Sequence, residues 1–239
     1  MRRLRTLTRM ALHELWISFR LIPLLGVPIA GGMLVSAVPP ELAGETAVGG
    51  AGFWYAIAAS VAICVTSALA ALTIAYERRR GTVAWMAVRA VPRFAVLFSW
   101  FLAFALLVVI GIVLGSVGAW FAAINRAELP PDAIPFAAAV GATAGTALAA
   151  VAVGLLLGTF LPSLPATLLA LVVSGGLVAA GIMAPLSIVP LPLGGLSLLT
   201  HLDSVIRPVA SSLQSAGAAL ATAAALLVVA GAGLERSDL

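Results

Sequence analysis

Six stretches of this chain contain no Asp, Glu, Lys, Arg or His, and each is close to the length needed to cross a lipid bilayer. They run over residues 21–38, 51–75, 94–121, 134–161, 164–189 and 213–234. A helix needs about 20 apolar residues to span the hydrocarbon core, and longer runs tilt or extend past it. The first run is the shortest and carries Pro23 and Pro28. Prolines do not exclude a span where neighbouring helices satisfy the freed backbone groups. Alternating strands of barrel type are not seen. The expectation is an all-α integral membrane protein of six transmembrane helices, with residues 1–239 forming a single domain. Only 9% of the 239 residues are charged, against ~25% in soluble domains. That leaves no polar surface for a second, soluble unit.

All thirteen basic residues are arginine. With no lysine there is no Walker A motif, so the chain carries no P-loop ATPase of its own. The arginines gather beside the apolar runs, which fits a membrane surface and not a nucleic acid partner. With six crossings, both termini lie on one side. That side holds Arg2, Arg3, Arg5, Arg9, Arg20, Arg78, Arg79, Arg80, Arg89, Arg93 and Arg236; the other holds Arg126 and Arg207. The positive-inside rule then predicts a multi-pass protein of the cell membrane with both termini in the cytoplasm.

Residues 1–20 read as an amphipathic helix in the headgroup layer. Leu4, Leu7, Ala11, Leu15 and Phe19 recur at helical spacing, with Arg2, Arg5, Arg9 and His13 on another face. The same segment also reads as a plain cytoplasmic extension of the first span. No signal-peptide cleavage site stands out. The lone Cys64 allows no internal disulfide and reads as a packing residue. His201 and Asp203 lack a third ligand nearby, so no metal site is expected. No Gly-x-Ser-x-Gly motif supports a hydrolase.

The absence of ionisable residues from the runs bears on function. Proton-coupled carriers generally need such a group within the membrane. If the chain moves a solute uphill, its energy more naturally enters from outside the bilayer. The segment from Tyr76 to Arg93 offers a place for that. Glu77 and three arginines are followed by Gly81, which permits a sharp reversal. Thr82 can cap a short helix over residues 83–89, which Pro92 closes off before the third long run. Trp85, Met86 and Val88 on that helix form an apolar knob rimmed by arginines, suited either to a protein groove or to the membrane interface.

The Glu-x-x-x-Gly-Thr pattern at Glu77, Gly81 and Thr82 resembles the segment after the second helix of type-2 ATP-binding-cassette exporter permeases. The basic entry helix, six spans, short loops, a last external segment and the ending Leu-Glu-Arg-Ser-Asp-Leu at 234–239 are similar in layout. The resemblance implies a transport subunit without enzymatic activity of its own, paired as a homodimer or heterodimer with a second permease. ATP and Mg would sit on a separate ATPase subunit. Carried over, Glu77, Gly81, Thr82, Val83, Trp85, Met86 and Arg89 would make the ATPase-coupling contact. The run Arg78 to Arg80 is more basic than the family's pattern and leaves open how much of the segment lies on lipid. Glu77 would pair with an arginine of the N-terminal helix or of the ATPase, or stand as a solvated charge.

Gly111 with Gly115, Gly141 with Gly145, and Gly154 with Gly158 each fit Gly-x-x-x-Gly, the spacing of close helix approach. They read either as packing within one subunit or as a dimer seam or moving gate. Trp16, Trp54, Tyr55 and Trp120 lie near run ends as interfacial anchors, whereas Trp100 lies deeper and could line a substrate path. Residues 190–212 read as a surface loop or a segment dipping into the membrane. The apolar spans point to export of a hydrophobic or amphipathic compound. A non-transporting anchor or assembly factor, and an ATP-independent carrier, are the alternatives.

Overall fold

The computed structural model describes residues 2–34, 58–81, 91–126, 133–183 and 209–236. Among them there are seven α-helices and no strand. We number these α1 (Arg2–Ile17), α2 (Leu21–Leu34), α3 (Ser60–Arg79), α4 (Arg93–Arg126), α5 (Ala133–Phe160), α6 (Ser163–Met183) and α7 (Val209–Arg236). Four of them are long and apolar enough to cross a membrane, or five spans result if the bent pair α1–α2 is taken as one. This is fewer than the six expected, because α2 is only 14 residues long over its described length and the apolar part of α6, Ser163–Gly176, is too short to cross by itself.

Why these residues form helices follows from their solvent. In lipid every backbone N–H and C=O must be satisfied within the protein, and a helix does so within one segment. Propensity alone would not hold so many glycines and β-branched residues in helices. Side-chain hydroxyls follow the same rule. Thr66 donates to the Ala62 carbonyl at 2.6 Å, Thr143 to Ala139 at 2.8 Å and Ser174 to Ala170 at 2.6 Å. Ser67 Oγ of α3 and Ser116 Oγ of α4 depart from it, buried without a hydrogen-bond partner.

α5 is the hub, packing against α3, α4, α6 and α7. The tightest approaches are made at glycines. A Cβ on Gly154 would run into the Ser67 carbonyl oxygen of α3, and one on Gly158 would stand 2.5 Å from the Ala71 carbonyl oxygen. On the other flank α2 lies along α4, where Gly32 meets the Gly115 backbone and Gly111 faces Pro28. Gly145 packs on Ala216 of α7, while Gly141 has nothing within 4 Å. Five of the six Gly-x-x-x-Gly positions therefore lie against other helices of the same chain. Gly141 alone of the six is open. The largest fully buried side chains, among them Phe104, Leu97 and Ile112 of α4 and Leu155 of α5, fill the space between these crossings.

The N-terminal helix departs from a simple extension of the next one. α1 and α2 meet at 74°. α1 packs its inner face, with Ala11 and Leu15 buried, against α4, and turns Arg5, Arg9 and His13 outward. Phe19 does not continue that inner face as its spacing suggested. α1 has ended at Ile17, and Phe19 adopts φ 57° in the elbow with its ring 72% exposed. The reversal there, closed by Phe19 N–H donating to the Trp16 carbonyl at 3.1 Å, breaks the periodicity.

Because α3 and α5 touch through backbone, Gly154→Leu is expected to destabilise the fold by about 1–3 kcal/mol. Gly141→Leu, in open space, should be close to neutral. Thermal unfolding of both purified variants in the same detergent checks this, and equal midpoints would refute the crossing.

Candidate functional site

One end of the bundle collects most of the charged side chains among the described residues. The turn from α5 to α6 (Leu161 and Pro162), the C-terminal ends of α3 and α7, the N-terminal end of α4 and the helix α1 all meet there, as the contacts below show. The C-terminal end of α4 and the start of α5 form the opposite end, where Trp120 packs on Phe136 at 4.9 Å.

α3 runs past its uncharged stretch. Tyr76, Glu77, Arg78 and Arg79 are helical, not part of a loop as their charges suggested. Arginines suit a last helical turn because its free carbonyls carry partial negative charge. The helix stops at Arg80, whose N–H donates to the Tyr76 carbonyl at 3.0 Å. Gly81 follows at φ +69°, its N–H donating to the Arg78 carbonyl at 3.1 Å. A left-handed residue directly after a helix is the usual glycine stop. Gly81 thus ends the helix in the conformation that the expected reversal requires. Thr82, Val83, Trp85, Met86 and Arg89, and the short helix over 83–89, lie outside the described residues, as do Trp54, Tyr55, His201 and Asp203 and most of the 190–212 segment.

Three arginines at this end bind backbone or side chains. Arg78 donates from Nη1 to the Gly158 carbonyl at 3.2 Å, satisfying one of the last carbonyls of α5, while its buried Nε has no partner. Arg93, at the start of α4, donates to the Leu234 carbonyl at 2.9 Å near the end of α7. Arg20, in the elbow, donates to Thr73 Oγ1 at 2.8 Å and lies 5.8 Å from the centre of the Tyr76 ring. Arg80 stacks on the same ring at 4.5 Å.

Glu77 turns the other way. Ala70, Thr73 and Ile74 are buried on one face of α3, and Glu77 continues that face at helical spacing. It is 6% exposed. Among the described residues its carboxylate has no hydrogen-bond or ion-pair partner. Arg5 and Arg9 of α1 are exposed, and neither is paired with it. It lines a cleft of about 210 Å³ between α1, α3 and α4. Leu7, Met10, Ala11 and Glu14 of α1 form one wall, Val96, Ser99 and Trp100 of α4 another, and Arg80 stands at the rim. Trp100, read from the sequence as deep, is 5% exposed and forms part of this wall. Ser99 spends its hydroxyl proton on the Val96 carbonyl at 2.7 Å.

Sequence reasoning missed Glu14. It is the first acidic residue of the chain and sits three and seven positions after Ala11 and Leu7, on the flank of α1 that faces α3. Its spacing from Ala11 and Leu7 is the signal that sets it on the inner side of α1. Among the described residues no three His, Cys, Asp or Glu side chains come together.

No family model, curated protein or solved structure matches this chain. The functional reading therefore stands on the residues themselves.

A side chain at Gly81 must adopt the left-handed backbone, which costs about 1–2 kcal/mol. Gly81→Ala should therefore lower stability by that amount and speed hydrogen exchange at the amides of Arg80 and residue 81. Unchanged exchange there would show that the turn is not held in this conformation.

Proposed function

We propose that this chain is the transmembrane permease subunit of an ATP-binding-cassette exporter, moving a hydrophobic or amphipathic compound out of the cytoplasm or the inner leaflet. The energy is supplied by ATP and Mg on a separate ATPase subunit, and the permease works as a dimer with a second permease.

One observation carries the reading. The long apolar runs hold no ionisable group that could bind a coupling ion, while a glycine-stopped, arginine-rimmed helix end opens the 82–90 segment at the crowded pole of the bundle. Force applied there reaches two span boundaries at once, the end of α3 and the start of α4. The contact to the ATPase comprises Gly81, Thr82, Val83, Trp85, Met86 and Arg89. Glu77 belongs to it only from behind, through the cleft at its base.

The connectivity supports six crossings. α1 enters at the arginine-rich end, α3 arrives there, α4 leaves, α5 arrives, α6 leaves and α7 arrives. α6 has 21 residues, about 31 Å of helix, enough to cross when its full length is counted. α2 rises alongside α4 from the elbow to make the first crossing. The bias of arginines puts that end, and both termini, in the cytoplasm. Exposed apolar side chains on α6, such as Leu164, Leu168 and Val172, face lipid or a second permease.

Purification in mild detergent should bring down a Walker-motif ATPase expressed with the chain from the same native membrane. Trp85→Asp should cut its recovery at least tenfold while leaving the permease membrane-inserted. Transport in vesicles without ATP, or no ATPase in the pull-down, would replace this reading with that of a carrier or an anchor.

A further inference from the structure

Two carboxylates face one small cleft, and neither has a partner among the described residues. Glu77 is almost fully buried; Glu14 is half-buried on the opposing helix. Two carboxylates facing one narrow, largely apolar cleft attract a cation, and the low-dielectric walls strengthen that attraction. The arginine nearest the cleft does not take that role. Arg80 is exposed at the rim, its guanidinium stacked on Tyr76. Arg78 and Arg93 are turned to α5 and α7.

We propose that this cleft binds an organic cation, an ammonium group carried on a small apolar body. The charge is met by Glu14 and Glu77. The body is met by Leu7, Met10, Val96 and Trp100, and an indole face adds cation–π attraction. A metal ion is the poorer fit, because among the described residues the two carboxylates gain no third His, Cys, Asp or Glu. The volume sets an upper size. At about 210 Å³ the cleft is smaller than the ~300–1,000 Å³ of drug-sized pockets, so it holds one ring or a short branched chain with its head group. The site borders the segment assigned to ATPase docking, but its chemistry is independent of that assignment and its test uses no ATPase.

Benzyltrimethylammonium is the probe, titrated by calorimetry against the full-length chain in lipid nanodiscs. Its neutral isostere, neopentylbenzene, measures apolar partitioning alone. Saturable binding of the cation is expected, with the isostere at least tenfold weaker. Glu77→Gln should weaken the cation by tenfold or more, a difference of about 1.4 kcal/mol. Glu14→Gln, at a half-buried position that tolerates change, should act in the same direction. Glu235→Gln, exposed near the end of α7, should leave binding unchanged. Equal affinity for the two probes would overturn the proposal. So would no saturable binding below about 10 mM, or full binding in Glu14→Gln together with Glu77→Gln.

Discussion

The contact of α3 with α5 at Gly154 and Gly158 is the approach on which the other arrangements rest. With no Cβ at either position, the two backbones meet, and the Ser67 and Ala71 carbonyls lie directly against α5. That closeness brings Arg78 within reach of the Gly158 carbonyl. It also fixes the rotation of α3 about its axis. With Ser67, Ala70 and Ala71 turned to neighbouring helices, Glu77 has to point inward, toward α1 and α4. Association of helices in lipid has little hydrophobic drive, so van der Waals closeness of this kind does most of the holding. The cleft is a consequence of that packing.

The arginines do two things at one end. They give the bundle a basic pole, and two of them close off helices that finish there. Arg78 meets the end of α5 and Arg93 the end of α7, while Arg20 ties the elbow to Thr73. A helix end leaves four carbonyls without intrahelical partners, and a guanidinium offers five donors in a fixed fork. That suits arginine better than lysine at positions 78 and 93. It also bears on motion, since a displacement of the 82–90 segment would be felt at Arg78 and Arg93, which grip helices far away in sequence.

Much of the bundle could be read in advance. The runs at 94–121, 134–161 and 213–234 correspond to helices Arg93–Arg126, Ala133–Phe160 and Val209–Arg236, because long stretches without charge have one stable form in lipid. The boundaries were less legible. α3 ends at Arg79, not at 75, since nothing between Ala75 and Gly81 breaks a helix and arginines favour its last turn. α1 was legible as amphipathic through Leu15, but Phe19 fell outside the pattern because a turn had intervened. The motif marks Glu77 in the sequence, but its place on the inner face of α3 beside Glu14 depends on how α1 and α3 are turned.

What composition and periodicity determined was the kind of molecule: helical, rich in long apolar runs without ionisable groups, and asymmetric in charge. Those properties depend on each segment's own solvation and need no knowledge of its neighbours. The packing settled the rest: which glycines touch, which arginines close which helix ends, and that two carboxylates from helices about sixty residues apart share a cleft with Trp100. Such pairings depend on how helices rotate and cross. Those angles are set by short-range contact between backbones, which no single stretch of sequence contains.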